Sequence, residues 1–283
     1  MDEQVDRLVK KIWGKWDEPP LPHWAWMKSI PASTYMPAST YTKPILQTYQ
    51  TNPILFPPAK YCSIPDNARL MIAVSGIPGS GKTELASTMS QRINQIHASE
   101  NPSSTLPIAT SLPMDGYHLT RAQLSALPDP TQAFARRGAA FTFDAHKFLH
   151  LVRALREPLT PSTKPIYAPS FDHAVKDPVE NDIAIAPTTR VIFFEGNYLS
   201  LNKEPWDEIA GLMDELWFVD VDFEVARKRL VRRHVKAGIA ADEVQADIRA
   251  RENDLVNGRE IVDFRLPVQE VVSSIYDPAW ERL

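Results

Sequence analysis

The chain has 283 residues, 43% of them hydrophobic, with 31 basic against 35 acidic side chains and a formal net charge of −4. That length and apolar share support one elaborated α/β domain, while the slight acidic excess argues against a general nucleic-acid binder. Cys62 is the single cysteine, which excludes an intramolecular disulfide and a thiolate metal cluster and fits a reducing compartment. No run approaches the roughly 18 apolar residues of a membrane span. Asp2, Glu3 and Asp6 are wrong for a secretory or transit leader, so the expectation is a soluble cytoplasmic protein with no membrane partner.

The first elements are uneven. Residues 1–16, "MDEQVDRLVKKIWGKW", place Val5, Leu8, Val9, Ile12 and Trp13 at helical spacing, an amphipathic helix able to pack on a domain. Residues 17–67 are dense in proline and keep no sustained period, because proline and its preceding residue resist regular structure. They repeat Pro-Ala-Ser-Thr-Tyr at 31–35 and 37–41. The stretch reads as an irregular insertion or linker, with a partner-binding segment anchored by Trp24 and Trp26 as the alternative. The domain proper is read as 68–283.

"RLMIAVS" is a short apolar run of buried-strand type, and "KTELASTMSQRINQI" reads as a helix. Between them Gly76, Ile77, Pro78, Gly79, Ser80, Gly81, Lys82 and Thr83 meet G-x-x-x-x-G-K-[ST] in full, the P-loop signature. Glycine permits left-handed backbone angles and close approach, so successive N–H groups of Gly76, Gly79, Ser80 and Gly81 can face phosphate oxygens. The helix puts its positive end under those phosphates. Lys82 would reach the β- and γ-phosphates, and the Thr83 hydroxyl would be a ligand of Mg2+. A nucleoside triphosphate, ATP by the usual pairing, is the expected occupant.

Beyond the P-loop, apolar runs alternate with helical stretches, which predicts a parallel sheet covered by helices on both faces. The five strands are read at "RLMIAVS", "LPIATSL", "RVIFFEG", "ELWFVDV" and "PVQEVVS". The fold expected is thus the three-layer α/β sandwich of the P-loop NTPases, a five-stranded parallel sheet with a helical lid. Ligands of such sheets sit at the carboxyl ends of strands. Asp115 follows the second run and Glu195 the third. One carboxylate can accept the proton of an attacking hydroxyl while the other orients Mg2+, although either alone could equally cap a turn. In "FEVARKRLVRRHVKAG" the cations crowd one helix, with Arg229 and Arg233 sharing a face. That helix is either a solvated basic surface or a lid that brings guanidinium groups onto transferring phosphates.

The ordered set "GIPGSGKT", "MDGYH", "FTFDAHKF", "PIYAPSFDHAVKD", "FFEGNYL" and "WFVDVDFEVARKRLVRRH" resembles the phosphoribulokinase/uridine kinase family of P-loop kinases, from about Arg69 to the C-terminus. The resemblance implies an ATP- and Mg2+-dependent kinase acting on a small hydroxylated nucleoside-, sugar- or vitamin-like acceptor. It implies that Asp115 contacts the acceptor hydroxyl as base, with Tyr117 and His118 of the same motif beside the substrate. It makes Asp144 a contact to sugar hydroxyls, sets Tyr167 and His173 near the acceptor, gives Glu195 the acidic role after the third strand, and puts Arg229 and Arg233 in the lid.

Arg136 and Arg137 lie in "LPDPTQAFARRGAAFT", which departs from the family pattern. They either bind an anionic group on the substrate, with Arg137 counted among the substrate contacts, or hold the loop through ion pairs. "ENDLVNGREIVDF" reads as a helix ending at Asn257–Gly258 near the adenine pocket. An NTP-hydrolysing ATPase without acceptor, or a silent binding module, would keep the same P-loop. Oligomeric state is left open, a homodimer included.

Overall fold

The computed structural model describes residues 2–14, 60–104 and 106–274. The stretch from 17 to 59, with its repeat and Trp24 and Trp26, lies outside the described residues. Of the proline-rich stretch, only its end is described, where Lys60–Ser63 forms a helical turn.

The main sheet contains β1 (Leu70–Gly76), β2 (Ala109–Pro113), β5 (Val191–Glu195), β6 (Glu215–Asp220) and β7 (Glu270–Ser273), in the spatial order β2-β5-β1-β6-β7. Every pairing is parallel, so each of the five expected strands is present. β5, β1 and β6 at the centre are buried on both faces and read as apolar runs, whereas the edge strands β2 and β7 are only half-buried.

Alternate residues of each strand feed opposite cores. Leu70, Ile72 and Val74 of β1 face one cluster with Phe193, Trp217, Leu85 and Met89. Met71 and Ala73 face the other, filled by Phe148, Leu149, Val152 and Leu155 from the helix Ala145–Arg156. This period-two partition makes the three layers. The N-terminal helix Asp2–Trp13 buries Val5, Leu8, Val9 and Ile12 in the first cluster. The Gln4 side chain donates to the Ser273 carbonyl at 3.0 Å and accepts from its N–H at 2.9 Å, pairing the open edge of β7. Lys11 and Arg7 also pair with Glu270 at 2.7 and 2.8 Å.

Two features differ from the sequence expectation. "PIYAPSFDHAVKD", which is not among the five expected strands, is part of an antiparallel hairpin of β3 (Ile166–Asp172) and β4 (Asp177–Ile185) outside the main sheet. Its strands are half-exposed and carry Pro169 and Pro178, which blunted the strand signal. The helix expected to end at Asn257–Gly258 instead runs Leu255–Asp263 straight through both, after a π-helical turn at Ala250–Asp254. Gly258 is buried and its missing side chain admits Ile77, whose Cβ would lie 3.3 Å from an added methyl group. Glycine serves packing there rather than capping.

Leu8 is fully buried although it lies more than sixty residues before β1. Leu8→Ala should cost about 2–5 kcal/mol in urea unfolding. The exposed Lys10→Ala should stay within about 0.5 kcal/mol. Equal midpoints for the Leu8 variant and the native chain would show that the helix contributes nothing to the core.

Candidate active site

The P-loop joins β1 to the helix Lys82–Glu100, whose N-cap is Gly81 at φ 93° with no side-chain cap. A capping side chain would occupy the space where an anion meets the helix N-terminus, so this end is left to backbone N–H groups alone. Gly79 has φ 81°, and an added Cβ would lie 2.9 Å from the Ala226 carbonyl oxygen. Ala226 belongs to the helix Phe223–Lys236, so that helix lies directly against the loop. The Ser80 hydroxyl is buried without a partner.

The register pairs Val74 of β1 with Glu195 and Pro113 of β2 with Glu195, which sets both carboxylates of the sequence reading beside the loop. Glu195 is the last residue of β5 and is 6% exposed. Its Oε2 accepts from the Thr83 hydroxyl at 3.1 Å. Asp115 sits in the single turn Met114–Tyr117 that follows β2. Gly116 fixes that turn, because a Cβ there would fall 2.0 Å from the Pro169 carbonyl oxygen of β3. The β3–β4 hairpin is thereby docked against the residue next to Asp115.

Charges crowd the pocket floor. Burial pulls the Lys82 ammonium below its ordinary value, while Glu195 and Asp115 pull it back. Burial likewise pushes the Glu195 carboxyl up to about 7, against the attraction of Lys82 and with the repulsion of Asp115 added. The charge of Arg233 bears on both groups. Arg233 is exposed, whereas Arg229, one turn earlier, donates to the Gly79 carbonyl at 3.2 Å and the Ser274 hydroxyl at 2.9 Å. Of these two arginines, Arg229 braces the loop, while the exposed Arg233 bears on Lys82 and Glu195 through its charge.

The acceptor side is built differently. Gly116, Tyr117, His118 and Asp144 line one cavity of about 140 Å3. Tyr117 is 2% exposed and meets Phe148 edge-on at 4.8 Å. The His118 ring lies between Phe143 and Phe171, 4.0 and 4.9 Å away, and its Nδ1 is 2.8 Å from the Asp115 carbonyl. Burial holds its ring below the ordinary histidine value and hence neutral near pH 7. Asp144 caps the helix Ala145–Arg156, accepting from Lys147 N at 2.9 Å, and still lines the cavity. Tyr167 is 52% exposed and His173 also faces solvent, and neither is among the residues lining this cavity. His173 rests edge-on against Phe171 at 5.2 Å.

Arg137 donates to the Leu119 carbonyl at 3.0 Å and to Asp177 at 3.3 Å, and lies over the Phe171 ring. Arg136 turns the other way, to Asn253 at 3.0 Å and Asn257 at 2.6 Å. Arg137 thus makes an ion pair of the kind the loop-holding reading expects, whereas Arg136 is held by amide oxygens and not by a carboxylate.

Sequence reasoning missed Asp254, whose charge also bears on Lys82 and whose Oδ2 is 2.8 Å from His234 Nε2 on the lid helix. It missed Lys147 and Glu180 at the cavity as well. The only signal for Asp254 was its place in the polar "ENDLVN" run of a helix, which does not reveal a partner twenty residues earlier.

The sequence profile of the Phosphoribulokinase / Uridine kinase family matches residues 71–258. The chain belongs to this family. It is 59% identical over 159 residues, 56% of this chain and 92% of that protein, to the "ATP-dependent kinase-like protein notR'" of Aspergillus versicolor. It is 40% identical over 189 residues, 67% of this chain and 76% of that protein, to "Putative uridine kinase C227.14" of Schizosaccharomyces pombe. A solved structure named "putative fructose transport system kinase", from Silicibacter sp. TM1040, shares 31% identity at TM-score 0.60 and covers 72% of this chain and 89% of its own. The fold is that of the P-loop NTPases, and the family member described here is an ATP-dependent phosphotransferase that acts on a hydroxyl group of a small molecule. No helix among the described residues is long and apolar enough to cross a membrane.

The family implies Mg2+ with the ATP, and the residues fit it. No group of three or more His, Cys, Asp or Glu among the described residues could hold a metal on its own. A cation carried in by phosphates needs less, one or two protein oxygens, and the Thr83–Glu195 pair supplies them beside a buried carboxylate short of positive charge.

Because Glu195 has a folded value above its ordinary 4.5, its proton is favoured by folding. The group is neutral to stability below its unfolded value, and its ionisation becomes a penalty as pH rises toward 7. Glu195→Gln should raise the urea midpoint of the nucleotide-free, EDTA-treated protein at pH 8, with the gain shrinking toward pH 5. A variant less stable than the native chain at pH 8 would contradict a strained carboxylate.

Proposed function

We propose that the chain transfers the γ-phosphoryl group of MgATP to a hydroxyl of a nucleoside-, sugar- or vitamin-like acceptor. The observation that carries this reading is the convergence of Lys82, Glu195 and Asp115 on one electrostatic cluster, with the cavity of Tyr117, His118 and Asp144 on the Asp115 side. A hydrolase that activates only water has no use for that second cavity, which favours a kinase over the ATPase alternative.

Backbone N–H groups of residues 79–83 hold the β-phosphate, and Lys82 bridges β and γ. Thr83 and Glu195 would hold Mg2+, which supplies charge neutralisation on the phosphate oxygens when bound. Asp115 accepts the proton of the attacking hydroxyl, and Arg233 offsets charge on the transferring group. Asp144 and His118 contact the acceptor, with Tyr117 as a wall. Tyr167 and His173, on the exposed hairpin, reach the acceptor only at its outer end. The catalytic unit comprises residues 68–283, with the helix of 1–16 packed on it and 17–67 inserted between, and it works on small solutes in the cytoplasm.

ADP release from MgATP should be stimulated by one member of a panel of nucleosides, sugars and vitamins, and Lys82→Ala should abolish that stimulation. Asp115→Asn should keep nucleotide affinity within about twofold while lowering kcat by about 100-fold or more. Hydrolysis at one rate whatever is added would move the ATPase reading ahead. Lost ATP affinity in Asp115→Asn would remove the base assignment.

A further inference from the structure

We infer that the acceptor carries no anionic group at the end seated in this cavity, and that Glu180 and Asp177 enforce the choice by occupying the two cations that would otherwise receive one. The inference rests on the kinase reading above and narrows its substrate class to neutral, hydroxyl-rich compounds.

The charged lining is Asp144, Lys147 and Glu180, with Thr120 and Gln123 as neutral polar groups. Among the described lining residues Lys147 is the one permanent cation, and its Nζ lies 2.5 Å from Glu180 Oε1. The lining therefore sums to one net negative charge with its ammonium already paired. The Arg137 guanidinium is not itself a lining group; it gives one nitrogen to Asp177 and the Leu119 carbonyl and has its Cζ 5.5 Å from the centre of the Phe171 ring. Asp177 is itself fixed, since the same Oδ1 accepts from Arg121 N at 2.8 Å. The exposed Arg121 side chain is not among the lining groups.

Two further sources of positive potential are closed. The helix Ala145–Arg156 points its N-terminus here, and a free helix end would attract an anion. Asp144 already caps it through Lys147 N. His118 is held uncharged between two phenylalanine rings. A carboxylate or phosphate in the cavity would thus lose its hydration and meet Asp144 and Glu180 with no cation to spare, a repulsive element of the kind that sets specificity. Hydroxyl groups face no such penalty. Carboxylate oxygens, Thr120 and Gln123 supply acceptors and donors at short range. The cavity of about 140 Å3 is well below the roughly 300–1,000 Å3 of drug-sized sites, so the seated part is compact.

The test uses matched acceptors on the full chain: glucose against gluconate, ribose against ribose 5-phosphate, and glycerol against glycerate. The measured quantity is the ratio of kcat/KM for the anionic to the neutral member, which cancels any loss of folded protein. The native chain should favour the neutral member by about tenfold or more, as expected for a buried like-charge encounter. Glu180→Gln, which releases the half-exposed Lys147, should shift the ratio toward the anion by about fivefold. Asp177→Asn, which releases the better sheltered Arg137, should shift it by about tenfold or more. Equal or preferential use of the anionic members by the native chain would overturn the inference and leave the kinase reading standing, as would an unchanged ratio in both variants. Absence of Lys82-dependent turnover with every member of these sets and with the nucleosides and vitamins of the wider panel would overturn the kinase reading and this inference together.

Discussion

A glutamate carboxylate and a lysine ammonium share one poorly hydrated pocket at the carboxyl ends of adjoining strands, and the rest of the site is arranged around that encounter. Glu195 ends β5 opposite Val74 of β1, two residues before the P-loop begins at Gly76. Strand register places them. Their own attraction is incomplete, since Glu195 stays above its ordinary value and Lys82 below. Isolated charges taken out of water cost several kcal/mol each unless fully paired, so the ligand-free site is electrostatically strained. A largely apolar sheet interior on either side of β1 and β5 makes such strain tolerable. Ligands that relieve it bind the folded chain preferentially, and their binding then adds to stability.

How far this was legible follows from the physics of each element. The five parallel strands and the P-loop helix were readable because buried parallel strands are continuous apolar runs and the loop has a fixed glycine spacing. Asp115 and Glu195 were readable because strand ends locate ligands in such sheets, whatever the strand order. The β3–β4 hairpin was not, since its half-exposed strands alternate irregularly and include prolines. The continuation of the last helix through Gly258 was also missed. A glycine just past an apolar run has the same sequence signature whether it caps a helix or admits a neighbour such as Ile77. Asp254, His234, Lys147 and Glu180 depend on tertiary pairing between residues 20 and 33 apart, to which no local period points.

Arg136 and Arg137 show how one dipeptide can resolve an ambiguity that its sequence cannot. Adjacent side chains leave the backbone in opposite directions, so the pair spans two parts of the molecule. Arg136 holds Asn253 and Asn257 beside the turn that carries Asp254, and Arg137 holds Asp177 at the turn end of the hairpin. Asn253 returns a hydrogen bond to the Arg137 carbonyl at 3.0 Å, and the Tyr198 hydroxyl donates to the Gly138 carbonyl at 2.7 Å. The loop between them is therefore anchored to the lid side, the acceptor hairpin and the segment after Glu195 at once. Phosphoryl transfer depends on fixed relative placement of donor and acceptor, and this junction is where the two halves meet.

The two ion pairs on the acceptor side differ in a way that separates what moves from what stays. Arg137 and Asp177 are 13% and 29% exposed, whereas Lys147 and Glu180 are 42% and 57% exposed. Solvent screens the outer pair, so opening it costs about 1 kcal/mol or less. Breaking the inner one strands a partly buried guanidinium whose Nε already lacks a partner. Between the helix Ala145–Arg156 and the hairpin, Lys147–Glu180 is therefore the contact that costs less to open. Gly116, the residue next to Asp115, is packed against the Pro169 carbonyl of β3 and ties the same hairpin to its turn.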